Sequence, residues 1–280
     1  MGFSEMGLAG KVALVCGGGG GGSGSATSRT LARAGATVFV VDYSDALVSE
    51  IVQDLEAAGA RVSGLAADLR DPEQAGKVVG AAVSAFGRLD LVANIAGGTQ
   101  LGDWARFEDT SNEAWRRIMA LNLDYVFQVC RDAGRVMADQ GQGGAIVNVA
   151  SISGLRAAPF HAAYGAAKAA LFALTQSMAV EWGQHRIRAN VVTPGAVASA
   201  RAGDRVEKFK KTAPLGRASN PQDIANAICF LLSDAASAIT GAQLLVDTGL
   251  TAKSVLGEVD EMVKTLDWQA QALAQAAVQK

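Results

Sequence analysis

A tyrosine and a lysine four residues apart, Tyr164 and Lys168, carry the clearest chemical signal in the sequence. On a helix, residues at this spacing lie on one face, one turn apart. A phenol with a pKa of ~10 exchanges protons poorly at neutral pH, but an ammonium group beside it favours the phenolate and lowers that pKa. Ser151, at the end of an apolar run, can hydrogen-bond the same substrate oxygen. These side chains predict proton exchange with an alcohol or a ketone.

A run of six glycines, Gly17–Gly22, lies between a predicted strand and a helix that begins near Ser25. Glycines allow a tight turn and let backbone N–H groups approach a pyrophosphate at the helix N-terminus. This position makes a flexible linker the weaker interpretation. A triphosphate-binding P-loop has the same glycine spacing, but Ser23-Gly24 stands where that loop requires Lys followed by Ser or Thr. The loop therefore predicts a dinucleotide site.

An aspartate, Asp42, ends the second predicted strand, eighteen residues after Gly24. A carboxylate there can accept hydrogen bonds from both ribose hydroxyls of an adenosine, and it would repel a 2′-phosphate. The sequence therefore predicts NAD, with NADP disfavoured. Arg29, in the helix after the glycine loop, is the basic residue that would oppose this preference. An alternative is that Asp42 caps the helix that starts near Ser44.

The chain alternates short apolar, β-branched runs with longer alanine-rich stretches. The apolar runs predict strands at Val12–Val15, Thr37–Val41, Arg61–Ala66, Leu89–Asn94, Ala145–Val149, Ile187–Val192 and Gln243–Val246. Helical spacing marks Ser28–Ala34, Asp45–Ala58, Pro72–Phe86 and Tyr164–Trp182. Apolar strands separated by helices indicate a parallel sheet covered on both faces. We predict a Rossmann-like, doubly wound α/β sheet of about seven strands, with the active site at their carboxyl ends.

No linker rich in proline or serine divides the chain. We therefore predict a single Rossmann-type catalytic domain over 1–250 and a C-terminal helical extension over 251–280. In the extension, apolar residues from Val255 to Val278 recur at helical spacing. Such a stripe favours docking on a subunit, and a frayed tail is the open alternative.

The bulk composition excludes several functions. Lys and Arg number 25 against 27 Asp and Glu, a net charge of −2, so we expect neither nucleic acid nor a membrane as a partner. Three cysteines in apolar stretches, Cys16, Cys130 and Cys229, are expected to be buried free thiols.

The N-terminus lacks a basic segment followed by an apolar block, which favours the cytoplasm. Metal-ligand spacings and a G-x-S-x-G element are missing, so neither a metal site nor a serine hydrolase is predicted.

Together these features resemble the short-chain dehydrogenase/reductase family, from about Lys11 to Leu250. The family's Asn-Asn-Ala-Gly element is present as Asn94-Ile95-Ala96-Gly97, and its Pro-Gly element as Pro194-Gly195. The catalytic residues implied by the resemblance are Asn122, Ser151, Tyr164 and Lys168. The implied coenzyme contacts are Gly17, Gly22, Ser23, Gly24, Asp42, Asp68, Leu69, Asn94, Ala96, Gly97, Tyr164, Lys168, Pro194, Gly195, Val197 and Ser199.

The resemblance implies an NAD-dependent enzyme that interconverts a secondary alcohol and a ketone by hydride transfer. Lys168 would also bind the nicotinamide ribose, and Asn122 would hold a water beside it, or would bond a broken helix turn, or both. Cys16 replaces the family's Thr and the glycine loop is one residue longer. These two departures concern the affinity for the coenzyme rather than its identity. A catalytically silent NAD-binding sensor or scaffold on the same fold is the alternative.

The residues around the catalytic tyrosine suggest a moderately apolar substrate, with cyclic compounds among the candidates. Ser153, Leu155 and His161 are the predicted substrate contacts, and an exposed loop position is the alternative for His161. Helices that contain Met119–Val129 and Ala169–Val180 are apolar on more than one face. They predict a homo-oligomer, and the resemblance favours a homotetramer.

Overall fold

The computed structural model describes residues 6–198, 207 and 211–253. Ser199 and almost all of the predicted C-terminal extension lie outside the described residues. Of that extension, the structure describes 251–253, where a short 3₁₀ turn, Leu250–Ala252, ends the described part of the chain.

Seven parallel strands form one sheet in the order β3-β2-β1-β4-β5-β6-β7. The strands are β1 (Val12–Cys16), β2 (Thr37–Asp42), β3 (Val62–Ala66), β4 (Leu91–Asn94), β5 (Gly144–Val149), β6 (Ile187–Pro194) and β7 (Gln243–Val246). This arrangement confirms the predicted doubly wound α/β fold, and each predicted strand is present with its ends shifted by at most two residues.

The helices between the strands are α1 (Ser23–Arg33), α2 (Asp45–Ala57), α3 (Pro72–Ala75), α4 (Val78–Phe86), α5 (Asn112–Met119), α6 (Tyr125–Gln140), α7 (Ala162–Trp182) and α8 (Pro221–Leu232). The prediction of one helix over Pro72–Phe86 is wrong, because the chain breaks at Gly76 and Lys77. Helix α1 begins before the predicted start near Ser25, since its first turn consists of glycine and serine, which carry no apolar periodicity.

Both faces of the sheet are covered by helices. In β1, Leu14 belongs to a core cluster with buried residues of α4, α6 and α7, such as Leu171. Its neighbour Val15 belongs to a second cluster with residues of α1, α2 and α8, such as Ile224. Successive side chains of a strand point to opposite faces, so a central strand covered on both sides must be apolar throughout. This accounts for the continuous apolar runs in the sequence.

The strand order reverses between β1 and β4, and a crevice opens at the carboxyl ends of the strands at such a point. The glycine loop follows β1, while Asp42 ends β2 and Asn94 ends β4. Ser151 follows β5, and Pro194 ends β6. The topology thus collects residues that are far apart in sequence at one edge of the sheet.

All three cysteines are buried and unpaired, as predicted. The helices of the described ranges include none that is both long enough and apolar enough to cross a membrane.

Candidate active site

The glycine loop after β1 requires glycine at defined positions. Gly17 and Gly20 have φ values of +83° and +66°, a conformation that side chains disfavour. A Cβ added at Gly24 would overlap the carbonyl oxygen of Gly17, so the loop packs directly on the first turn of α1. Gly22 caps this helix without a side-chain hydrogen bond. The first N–H groups of α1, from Ser23 onward, are therefore available to an anion.

The Asp42 carboxylate is 9% exposed and faces the same loop. Its Oδ2 accepts a hydrogen bond from the N–H of Gly19 at 3.0 Å, and its Oδ1 accepts one from the N–H of Tyr43 at 2.9 Å. Ser44 occupies the cap position of α2. The alternative that Asp42 caps this helix is therefore wrong.

Backbone hydrogen bonds connect the ends of β1 and β4. The Cys16 carbonyl accepts hydrogen bonds from the N–H groups of Ile95 and Ala96, both at 2.9 Å. The Tyr125 hydroxyl donates to the carbonyl of Ala96 at 2.7 Å. Cys16 replaces the family's Thr, yet its main chain still joins the two loops. Burial raises the pKa of its thiol, so the thiol is uncharged.

Asn122 lies in a π-helical turn, Ala120–Asp124, between α5 and α6. Its Nδ2 donates to the carbonyl of Ile118 at 2.9 Å and to that of Gly98 at 3.0 Å. Its Oδ1 accepts from the N–H of Gly98 at 2.8 Å. The side chain thus bonds the widened turn, which was one of the two predicted roles, and it also fixes the loop after β4.

Lys168 extends from α7 into the interior and is 3% exposed. Its Nζ donates a hydrogen bond to the Val149 carbonyl at 2.9 Å and lies 5.7 Å from the centre of the Tyr164 ring. A Cβ on Gly97 would lie 3.0 Å from this Nζ and 2.7 Å from Oδ1 of Asn122, so this turn has no room for a side chain. Burial lowers the pKa of the Lys168 amine to about 7.

Burial raises the pKa of the Tyr164 hydroxyl above its ordinary value, and the neighbouring Ser151 side chain partly offsets this. The Ser151 Oγ accepts from the N–H of Ser153 at 3.1 Å. Burial dominates the pKa values of both groups in the protein alone, so the predicted lowering of the Tyr164 pKa by Lys168 is not seen there.

Asp68 and Leu69 follow β3, and both have structural partners. The Asp68 carboxylate pairs with Arg70 at 2.6 Å, which lowers the pKa of Asp68. Its backbone N–H donates to Oε1 of Gln74 at 2.9 Å. Leu69 is buried in the core. These contacts explain the order of this loop without a bound adenine.

The segment after β6 lies close to the loop after β7. A Cβ on Gly195 would lie 2.9 Å from Cα of Asp247, and Val197 forms a bridge with Ser219. Asp247 accepts hydrogen bonds from the N–H groups of Gly249 and Thr251, at 2.9 and 2.7 Å. The segment that carries the predicted coenzyme contacts Pro194, Gly195 and Val197 is therefore fixed by its packing against the loop after β7 and by the bridge to Ser219.

The predicted substrate residues lie in the loop between β5 and α7. Leu155 is 41% exposed, and the His161 ring stacks between those of Trp104 and Tyr164. The Trp104 loop is ordered by a pair that was not predicted, in which Arg117 of α5 binds the buried Asp103. A long-range pair of this kind has no local sequence signal.

Comparison with known proteins decides the family. A family model described as enoyl-(acyl carrier protein) reductase matches residues 20–251. Cyclohexanol dehydrogenase from Acinetobacter sp. (strain SE19) is 37% identical over 87% of this chain and 96% of its own length. The chain belongs to the short-chain dehydrogenase/reductase family. NAD-dependent glycerol dehydrogenase from Listeria innocua is 36% identical, over 89% of this chain and 97% of its own. The structure of acetoin dehydrogenase from Enterobacter cloacae has a TM-score of 0.81 and 34% identity, covering 89% and 98% of the two chains.

The protein is thus a nicotinamide-dependent oxidoreductase of the short-chain alcohol dehydrogenase type, acting on secondary alcohols and ketones. The described residues fit such a coenzyme. The glycine loop would present the N-terminus of α1 to a pyrophosphate and Asp42 would present a carboxylate to a ribose, while Lys168 lies next to Tyr164.

The lowered pKa of Lys168 predicts a pH dependence of stability. The amine titrates near 10.5 in the unfolded chain and at about 7 in the folded protein. Between these values unfolding takes up a proton, so the free energy of unfolding should rise with pH; below both, this contribution is constant. Urea denaturation should show wild type gaining stability relative to Lys168→Met across this interval. The exposed Lys77→Met is the control, and parallel pH profiles for wild type and Lys168→Met would contradict the prediction.

Proposed function

We propose that Tyr164 is the acid/base of this oxidoreductase and that Ser151 binds the same substrate oxygen. The proposal is carried by the position of Ser151, just past the carboxyl end of β5, where its side chain acts on the Tyr164 hydroxyl. In the oxidative direction, Tyr164 as the phenolate takes the proton from the alcohol while Ser151 hydrogen-bonds the same substrate oxygen. A nicotinamide coenzyme, when bound, would supply the hydride chemistry.

Lys168 controls how readily Tyr164 gives up its proton. A charged amine at this distance favours the phenolate, whereas an uncharged one does not. With a pKa of about 7, the amine in the protein alone changes charge near neutral pH. Asn122 acts as a positioning residue, because its hydrogen bonds to Gly98 hold the turn that encloses the amine.

A catalytically silent sensor on the same fold is the weaker proposal. Tyr164, Ser151 and Lys168 meet at one site, where a sensor would require only the coenzyme contacts. Trp104 and Leu155, both 41% exposed, give the mouth of this site a partly apolar surface. This surface and the relative named cyclohexanol dehydrogenase support a moderately apolar secondary alcohol or ketone, with cyclic compounds the first to be screened.

Tyr164→Phe should lower kcat by about 10²–10⁴-fold, because only the hydroxyl can exchange the proton. Coenzyme binding, followed by fluorescence titration, should be retained. Tyr43→Phe removes the same hydroxyl from an exposed side chain and should leave kcat unchanged. A Tyr164→Phe enzyme with the kcat of wild type would refute the assignment.

We further propose that the coenzyme is NAD(H) rather than NADP(H). The Asp42 carboxylate would accept hydrogen bonds from a ribose with a free 2′-hydroxyl and would repel a 2′-phosphate. The nearby cation that would offset this repulsion, Arg29, is paired with Asp54 of α2 at 2.7 Å. The relative named NAD-dependent glycerol dehydrogenase supports the same choice.

The kcat/KM for NAD should exceed that for NADP by at least about tenfold, which requires only ~1.4 kcal/mol. Asp42→Ala should shrink this ratio, chiefly by weakening NAD binding. Asp45→Ala removes the same charge from an exposed position three residues on and should preserve the ratio. Equal efficiency of wild type with both coenzymes, on one substrate at one pH, would count against Asp42 in this role.

We also propose that the protein forms a homotetramer. Phe127 on α6 and Val180 on α7 are 51% and 84% exposed, so both helices present apolar side chains that a partner subunit could cover. At the sheet edge, Leu245 of β7 is 44% exposed. Two distinct apolar surfaces fit the two interfaces of a tetramer with two-fold symmetry axes.

Light scattering of the full chain should give the mass of a tetramer. Phe127→Asp combined with Val180→Asp should give dimers, because charges would be buried at one interface. Leu245→Asp should also give dimers, because it places a charge in the other interface. A monomeric wild type at working concentration would overturn the proposal.

A further inference from the structure

The His161 ring stacks between two aromatic rings at the active site. Its centroid is 4.1 Å from that of Trp104, with 17° between the planes, and 5.9 Å from that of Tyr164, with 13° between them. Three nearly parallel rings thus lie next to one another, and His161 is a direct neighbour of the proposed acid/base.

Two loops hold this stack in place. The loop that carries Trp104 is ordered by Asp103, which accepts from the N–H of Gln100 at 2.8 Å and pairs with Arg117. The Ala105 N–H donates to the carbonyl of Phe160 at 2.8 Å and thereby joins this loop to the one before α7. Phe160 has a φ of +67°, a strained conformation for an aromatic residue. His161 is therefore positioned both by the Trp104 loop and by the segment before α7.

The hydrogen bond of the His161 ring decides its tautomer. Nδ1 lies 2.9 Å from the carbonyl oxygen of Pro159, and a carbonyl can only accept, so Nδ1 carries the hydrogen. In the neutral ring, Nε2 is then an acceptor. None of the described residues donates a hydrogen bond to it. An acceptor beside the catalytic hydroxyl is suited to a hydroxyl group of the substrate.

Resting on the proposed function, we propose that His161 Nε2 binds a second hydroxyl of the substrate, on the carbon next to the one oxidised. Because the two ring centroids are 5.9 Å apart and each hydrogen bond spans about 2.8 Å, the Tyr164 hydroxyl and His161 Nε2 can reach two oxygens on adjacent carbons of one molecule. Vicinal diols, and α-hydroxyketones in the reverse direction, have this arrangement. A simple secondary alcohol leaves Nε2 unused.

The test uses two alcohols that differ by one hydroxyl, cyclohexanol and cis-1,2-cyclohexanediol, with the full-length enzyme and saturating coenzyme. Wild type should have the higher kcat/KM for the diol. His161→Phe keeps an aromatic ring in the stack but removes the acceptor, so kcat/KM for the diol should fall about tenfold further than that for cyclohexanol. His185→Phe alters the other histidine of the chain, an exposed residue, and should change neither value.

Two outcomes would overturn the role of His161 and leave the proposed function intact. One is a wild type that oxidises cyclohexanol at least as efficiently as the diol. The other is an equal loss with both alcohols in His161→Phe, which would show that the ring serves only to pack against Tyr164. A wild type that oxidises no secondary alcohol in a coenzyme-coupled screen would instead contradict the proposed function itself.

Discussion

Lys168 brings an amine into the protein interior, and much of the site follows from the need to accommodate it. A buried ammonium is costly, so the pKa falls to about 7 and the group donates a hydrogen bond to the Val149 carbonyl. The turn above it has no space for a side chain at Gly97. Asn122 fixes that turn from a π-helical segment, and its amide also donates to the Ile118 carbonyl of α5. The catalytic end of the crevice is thus built around one amine.

The rest of the site depends on the order of the strands. Parallel strands carry their carboxyl ends to one edge, so the residue that ends each strand becomes a neighbour of residues far away in sequence. The chain uses this twice, with Asp42 and the glycine loop at the adenosine end and Ser151, Tyr164 and Lys168 at the reacting end. The loops that carry Trp104 and His161 lie over the second group, where long-range contacts order them.

Features of the fold and of the site that depend on neighbouring residues could be predicted from the sequence, whereas those that depend on contacts between distant segments could not. Buried parallel strands are apolar throughout, so all seven were predictable, and the spacing of Tyr164 and Lys168 is local to one helix. The break between α3 and α4 was not predictable, because the apolar pattern continues across Gly76. The rise in the pKa of Tyr164 was also missed, since desolvation depends on atoms from distant segments. The Asp103–Arg117 pair was missed for the same reason.

The bond between Asp42 and the N–H of Gly19 helps to order the glycine loop before a coenzyme binds. A run of six glycines has the largest conformational freedom of any segment of this length, and ordering it upon binding would weaken affinity. In this fold the loop is already ordered, because the Gly17 and Gly18 N–H groups donate to the Val41 carbonyl at 2.7 and 3.1 Å. The first three glycines therefore lose their conformational entropy during folding, so a dinucleotide meets a loop that is preorganised at its start and loses less affinity to ordering it.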